Sequence, residues 1–462
     1  MSMRVLWSIL ISVLFVRFMI LGMYPLMDTS EARYGEMARK MVELNDWVTP
    51  MFDYGVPFWG KPPLSFWTQA LSIKVFGANE FAVRFPSFLF HILSCIILIR
   101  WGREELGLRY GLLSAIIYSS CGIGFIVSGS VLTDPALAFS LLLAVYGFWR
   151  SMVHGDRILG LFGFLGLGLG MLAKGPLILV IFGVPALLWV AYLGYWARLG
   201  AIPWLRGVGV FLIVSVPWYV IAELKTPGFL EYFFIGEHWN RYVVSGWNGD
   251  LYGNAHARTV GTIWVYLLAA TMPWIVWVPF LFSALKSKFK GSALLGFCVV
   301  YIGFLPLFFT FSKNILWTYV LPVIPLFSLA LSACLLPYFE QRKRYIAMGL
   351  TSFFVPVLLL GFVLEGSAFE TWKSQKNVIR EMDSFPKGDL YYLNRRVYSS
   401  EFYSRGSTKT ISTEQLIGVQ TPFYLAVLSR DLDKVASSLV GCISMFELDK
   451  TNVYRCSGTN ID

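Results

Sequence analysis

Apolar runs of about twenty residues recur along this chain, separated by short polar breaks. That pattern leaves a helical membrane bundle as the fold, because a helix needs about 20 apolar residues to cross a bilayer. Runs of suitable length fall at 5–24, 81–100, 111–128, 135–149, 158–172, 176–195, 207–223, 259–285, 292–311, 318–337 and 345–364. They predict a polytopic bundle of about 11–13 transmembrane helices, the upper figure allowing for a split or overlooked helix. Only 14% of the residues are charged, against about 25% in soluble domains. The first run is too long for a signal-peptide core and lacks a small-residue cleavage site, so it reads as an uncleaved membrane helix.

Orientation follows from the basic residues in short loops. Arg100, Arg103 and Arg109 follow the second run, Arg150 and Arg157 the fourth, and Arg198 and Arg206 the sixth. Lys286, Lys288 and Lys290 follow the eighth, and Arg342, Lys343 and Arg344 the tenth. All lie on one side if the odd-numbered runs lead outward, and that side is the cytoplasm, with Met1 beside it. The net charge of +10 is largely this topology signal. Its scatter between spans is unlike a nucleic-acid footprint, and no nucleic-acid partner is expected. The other loops then face the periplasm of a bacterial inner membrane.

After Leu364 the chain turns polar, with short alternating stretches such as DLYYL and PFYLAVL. Residues 366–462 are expected to form a small soluble α/β domain facing outward, joined to a membrane domain of 1–365. Cys95, Cys121, Cys298 and Cys334 read as small apolar packers in or near spans. Cys442 and Cys456 lie where a disulfide persists, and their spacing leaves bridged and free forms equally open. No cysteine spacing defines a metal site.

The first outward loop, 25–80, carries the most chemistry. From Asp28-Thr-Ser-Glu31 a helical pattern places Tyr34, Met37, Ala38, Met41 and Val42 on an apolar face, with Glu36, Arg39, Lys40 and Glu43 opposite. This predicts a helix lying in the membrane interface. Asp28 reads either as its N-cap, with Glu31 completing the cap, or as a base whose pKa is raised at an apolar boundary. Arg33 reads as a carboxylate-orienting or phosphate-holding group, or a surface charge. Prolines at 62 and 63 open a second interfacial helix ending near Gly77. Lys61 either snorkels to water or meets a phosphate.

Here the chain resembles the integral-membrane type C glycosyltransferases, the aminoarabinose transferases of lipid A and their protein-mannosyltransferase-like relatives. The resemblance is carried by the ordered series D-x-x-E-x-R-Y, D-W-V-T-P, K-P-P-L-x-F-W and F-G-x-x-x-F-x-V-R. It continues through Leu-Thr-Asp134-Pro, Ala-Lys174-Gly-Pro, Glu-His238-Trp-Asn-Arg241-Tyr, Ser-Lys313 and Thr318-Tyr319-Val-Leu-Pro, reaching about Pro325. It implies sugar transfer from a polyprenyl-phosphate carrier to an acceptor outside the cytoplasmic membrane, with inversion at the anomeric carbon. Asp28 or Glu31 would deprotonate the acceptor, supported by Asp134. Lys61, Lys174, Arg241 and Lys313 would hold the carrier phosphate, with Tyr319 bonding the same group, and Arg33 and Tyr34 would also bind substrate. His238 reads as a proton-transfer aid, a metal ligand or a structural hydrogen-bonding group. Asp134 reads equally as a helix cap, and Lys174 as a snorkelling lysine.

Two positions depart from the pattern. The acidic residue that precedes the first-loop lysine in aminoarabinose transferases, and contributes to their metal site, is Gly60 here. An aspartate of the first acidic motif is Ser30. No cofactor is expected to be required, and a divalent metal is in doubt. Lipid A, another envelope glycolipid, a glycan or a protein fits as acceptor, with lipid or glycan favoured. A lipid or sugar transporter competes with the enzyme, since it too would bury charge within a bundle. Charges gathered on one side argue against it, because a carrier needs access from both.

Overall fold

The computed structural model describes residues 2–253, 256–279, 292–341, 345–366, 373–416, 418–435, 439 and 441–457. The chain is mostly helical. Its first half runs α1 (Met3–Ile20), α2 (Ser30–Glu43), α3 (Leu64–Phe76), α4 (Glu80–Glu105), α5 (Leu108–Ser120), α6 (Gly122–Val127), α7 (Asp134–His154), α8 (Arg157–Lys174), α9 (Leu177–Leu193) and α10 (Trp204–Lys225). Among the described residues, eight helices are long and apolar enough to span a membrane. They are α1, α4, α7, α8, α10, Ala293–Thr310, Trp317–Glu340 and Ile346–Glu365. The expected run at 176–195 is the shorter α9, and that at 111–128 divides into α5 and α6. The run at 259–285 begins as helix Thr262–Ala270 and a 3-10 turn at Trp274–Trp277; 280–285 lie outside the described residues. The basic groups at 286–290 and 342–344 lie outside them too.

Local chemistry sets the helix ends. The Asn79 side chain accepts the Ala82 N–H at 2.9 Å at the start of α4, and Asp156 accepts the Leu159 N–H at 3.0 Å at the start of α8, supplying partners that the first turn lacks. Between them Gly155 reverses the chain at φ 73°. Helices α7 and α8 then approach so closely that a Cβ at Gly147 would lie 2.4 Å from the Leu159 carbonyl oxygen. Small residues allow such contact where apolar burial alone gives little drive between helices in lipid. The outer surface carries large apolar side chains, including Phe15, Ile213 and Leu350, as a lipid-facing surface requires.

The described basic loops gather at one end of the bundle. There Arg150 lies 3.6 Å from Glu104, and Arg109 lies 3.1 Å from Glu340. The opposite end carries α2, α3 and a hairpin of β1 (Met51–Asp53) and β2 (Val56–Pro57).

The C-terminal strands are β3 (Leu390–Leu393), β4 (Lys409–Ile411), β5 (Phe423–Leu428), β6 (Cys442–Leu448) and β7 (Thr451–Cys456). They form one sheet in the order β4-β3-β5-β7-β6. Strands β4, β3 and β5 are parallel, while β7 runs antiparallel to both β5 and β6. Cys442 and Cys456 are opposite each other in the β6–β7 register and form a disulfide.

This sheet region docks on α2. Most of the polar face of α2 is covered: Glu36, Arg39 and Lys40 are buried, while Glu43 stays exposed. Arg39 grips Glu36 through two bonds of 2.7 and 2.8 Å, and Lys40 lies 3.5 Å from Glu401 of the C-terminal region. Arg396 reaches Asp53 at 3.1 Å, Lys376 reaches Glu80 at 2.6 Å, and Phe402 packs among Leu26, Met37 and Phe66. Periodicity identifies the two faces of α2 but not the second layer that covers the polar one.

Gly147→Val should lower the melting temperature of the detergent-purified protein, because overpacking costs about 1–3 kcal/mol. Gly183→Ala, with open space around it, should leave it unchanged in the same melt.

Candidate active site

A cavity of about 720 Å³ opens at the end of the bundle that carries α2. It is lined by Asp28, Glu31, Arg33, Tyr34, Lys61, Asp134, Lys174, Arg241 and Tyr319. Nine of the eleven residues singled out from sequence therefore share one space. His238 and Lys313 do not line it.

Each side chain has a distinct setting. Thr29 takes the cap position of α2 without a side-chain bond, so Asp28 is not its cap. The Asp28 carboxylate accepts the Ser399 hydroxyl at 2.5 Å and the Ser399 N–H at 3.0 Å. Burial pushes its pKa up to about 7, against the pull of those hydrogen bonds. Glu31 faces Arg84, which is fully buried, and accepts from it at 2.9 and 3.2 Å. Arg84 also donates to the carbonyls of Leu21, Tyr24 and Pro25 at 3.0, 2.7 and 2.9 Å. Glu31 is thus tied into a structural knot at the foot of α1.

Asp134 begins α7 one residue past its cap, Thr133, and receives Lys174 Nζ at 2.5 Å. Lys174 ends α8 and sits 4.4 Å from the centre of the Tyr319 ring. The turn behind it needs Gly175 at φ 85°, since a Cβ there would meet Phe233 at 2.6 Å and His238 at 3.0 Å. His238 braces this turn: Nε2 lies 3.0 Å from the Lys174 carbonyl oxygen and Nδ1 2.8 Å from that of Phe233.

Lys61 and Arg241 converge on Glu237, at 2.8 and 3.0 Å. Burial opposes the Glu237 charge, yet the two cations hold its carboxyl below the usual range. Arg241 also lies 3.4 Å from Asp250. Lys313 is exposed, but its neighbour Asn314 donates to the Arg241 and Val244 carbonyls at 2.7 and 2.9 Å and so fixes the backbone under Arg241. Arg33 donates to the Tyr252 carbonyl at 2.6 Å and lies over the ring of Tyr34.

A second space, an apolar groove of about 360 Å³, adjoins the first. Leu177, Val180, Phe234, Trp239, Phe308 and Phe309 line it. Lys61, Lys174, Glu237, Arg241 and Tyr319 line both spaces, so the cations stand where the apolar groove meets the polar cavity.

The carboxylates do not fit a metal site. Glu31, Asp134, Glu237 and Asp250 each face a cation, Asp28 is held by Ser399, and no three ligand-type side chains gather among the described residues. An acidic side chain at position 60 would also have to displace the Phe58 ring, 2.8 Å from a Cβ there.

Glu237, Arg84 and Ser399 were not singled out from the sequence. Glu237 and Arg241 stand four apart within or next to a π-helical segment, Tyr232–Asn240, a spacing that suggests a pair. Arg84 closes the F-x-V-R motif. Nothing local marks Ser399.

Residues 7–233 match the family model described as dolichyl-phosphate-mannose-protein mannosyltransferase. The chain is 29% identical over 356 residues to an undecaprenyl phosphate-alpha-4-amino-4-deoxy-L-arabinose arabinosyl transferase of Aeromonas salmonicida, covering 73% of this chain and 61% of that protein. A protein of the same name from Sodalis glossinidius is 30% identical over 322 residues, 65% of this chain and 54% of that one. The chain spans about three fifths of the length of the curated relatives it matches. Its fold is that of ArnT from Cupriavidus metallidurans bound to undecaprenyl phosphate, with TM-score 0.83, 17% identity and full coverage of both chains. The archaeal oligosaccharyltransferase AglB from Archaeoglobus fulgidus is a more distant fold relative, with TM-score 0.56 and 9% identity over 99% of this chain and 74% of that one.

Glu31→Gln should destabilise the protein by about 3 kcal/mol, since it leaves the buried Arg84 charge without its counter-ion. Thermal unfolding in detergent checks this.

Proposed function

We propose that this chain is a membrane glycosyltransferase like its aminoarabinose transferase relatives, and that it moves a sugar from a polyprenyl-phosphate carrier, undecaprenyl phosphate, to lipid A or another envelope glycolipid or glycan. The reaction takes place at the outer face of a bacterial inner membrane. The membrane unit, 1–365, carries the transfer, and the outward unit, 366–462, closes over it. One observation carries the proposal: Lys61, Lys174 and Arg241 stand at the junction of an apolar groove and a polar cavity. An amphiphile with an isoprenoid chain and a phosphate head matches that junction. The relatives' names and the undecaprenyl phosphate bound by the fold relative support the same donor.

The chemistry divides among this chain's residues. Lys61 and Arg241 already aim at one carboxylate, and a phosphate presented there meets both cations without reorganisation. In the transfer, an acceptor hydroxyl or amine attacks the anomeric carbon, its proton passes to a carboxylate, and the carbon–oxygen bond to phosphate breaks. The electron pair leaves with the polyprenyl phosphate, whose charge Lys61, Arg241 and Lys174 stabilise. Asp28 is the base this geometry favours. Glu31 and Asp134 are engaged in ion pairs with Arg84 and Lys174, whereas Asp28 has no ion-pair partner among the described residues and a pKa that burial raises to about 7. Arg33 and Tyr34 flank the acceptor side, and Tyr319 backs Lys174. His238 maintains the Lys174 turn. Lys313, outside the cavity, has no part in the step.

A protein acceptor is the second reading, favoured by the family model matched over 7–233. Mass spectrometry of envelope lipids, glycans and proteins, with and without the chain, identifies the sugar and its recipient together. Loss of a sugar from a protein alone would replace the lipid reading, and no change in any fraction would end both.

Asp28→Asn should cut transfer by about 10²–10⁴-fold with little change in the melt. Wild-type activity should fall as pH drops through about 7, because Asp28 accepts a proton only when ionised. A pH–rate profile reads both effects; a profile flat between pH 5 and 8 would remove Asp28 as the base.

A further inference from the structure

We infer that Ser399, carried by the C-terminal unit, is a positioning residue for the Asp28 carboxylate, so that the transfer site is complete only with that unit seated on the bundle. The inference rests on the reading of Asp28 as the base. Ser399 is fully buried and addresses both oxygens of Asp28, through its hydroxyl at 2.5 Å and its N–H at 3.0 Å. The Gln375 N–H donates to the same Ser399 oxygen at 3.1 Å. With that lone pair taken, the hydroxyl proton is directed to Asp28.

The hold extends into the sheet. Gln375 Oε1 accepts the Tyr392 hydroxyl of β3 at 2.9 Å and the Thr451 hydroxyl of β7 at 3.0 Å. The Asp28 N–H in turn donates to the Lys373 carbonyl at 2.6 Å. Two strands, the 373–375 segment and the helix Tyr398–Tyr403 thus fix one carboxylate of the first outward loop, 371 positions from Ser399. Chains of buried hydrogen bonds of this kind restrict a group to one orientation. A base must be so restricted, since its free lone pair has to meet the acceptor proton within hydrogen-bond reach.

Charged and titratable groups around Asp28 come from every packed element: Glu401 on the Ser399 helix, Tyr392 on β3, Lys373 on the connecting segment, and Glu31 and Arg33 on α2. Glu401 raises the Asp28 pKa, and the Ser399 bonds lower it. Losing the Ser399 hydroxyl must therefore raise it further.

The test uses the full chain in detergent as wild type, Ser399→Ala and Ser399→Thr. Carbodiimide labelling of Asp28 across pH, read by mass spectrometry, reports its protonation without needing activity. Transfer is assayed with undecaprenyl-phosphate 4-amino-4-deoxy-L-arabinose and lipid A. Ser399→Ala should move the labelling midpoint and the acid limb of the rate profile upward by about one unit, the scale of one hydrogen bond to a carboxylate. It should lower kcat by about tenfold and leave the donor KM unchanged. Ser399→Thr, which keeps the hydroxyl, should restore both. Wild-type midpoint and kcat in Ser399→Ala would overturn the inference. A wild-type chain that labels as expected but transfers no sugar to lipid, glycan or protein would instead overturn the proposed function.

Discussion

A charge taken out of water needs a partner, and the end of this molecule that carries α2 is built on that requirement. Arg84 is fully buried and uses its whole guanidinium, meeting Glu31 and three carbonyls at the mouth of α1. Lys174 has Asp134, and Lys61 and Arg241 share Glu237. Lys40, nearly inaccessible, has Glu36 and Glu401. The pairs Arg84–Glu31, Lys174–Asp134, Lys61–Glu237 and Lys40–Glu401 join elements distant in sequence, so neutralising charge also fixes the relative positions of loops that no regular ladder connects. The loops can be rigid there because the alternative, an unpaired ion in a low dielectric, is far worse.

The same requirement shapes the boundary between the two cavities. Lys61, Lys174 and Arg241 stand at the last polar position before an apolar groove. There a cation gains from water on one side and from reduced screening on the other. An anion brought by a lipid would enter with its tail already in the groove, so apolar burial and electrostatics would act on one molecule without competing. A soluble sugar nucleotide would leave the groove unused.

Much of this was legible in the sequence. Among the described residues, eight of the eleven apolar runs fall on helices long enough to span a membrane, since bilayer thickness imposes a length that hydropathy reports directly. The motif residues of the first loop and of the later breaks mostly share one cavity. What hydropathy and spacing could not show was partnership. The polar face of α2 reads as solvated until a second layer is known to cover it, and Lys61 reads as a lone cation until Glu237 folds against it from 176 positions away. Lys313 illustrates the opposite error. Its motif is adjacent to the site, but its side chain is exposed, and Asn314 beside it makes the contacts. Cys442 and Cys456 become a pair only once the β6–β7 register is set.

Asp28 breaks the pattern of pairing, and that is the reason to assign it the chemistry. Glu237, which neutralises Lys61 and Arg241, is held by them below the usual carboxylate range and takes a proton poorly. A carboxylate given only hydrogen bonds, and a carboxylate neighbour in Glu401, keeps a pKa near the middle of the physiological range. Environments that push like groups apart in pKa divide structural from proton-transferring roles. In this chain the division is made by the C-terminal unit. It covers α2 and supplies Ser399, whose hydroxyl and N–H hold Asp28 where a cation would otherwise be needed.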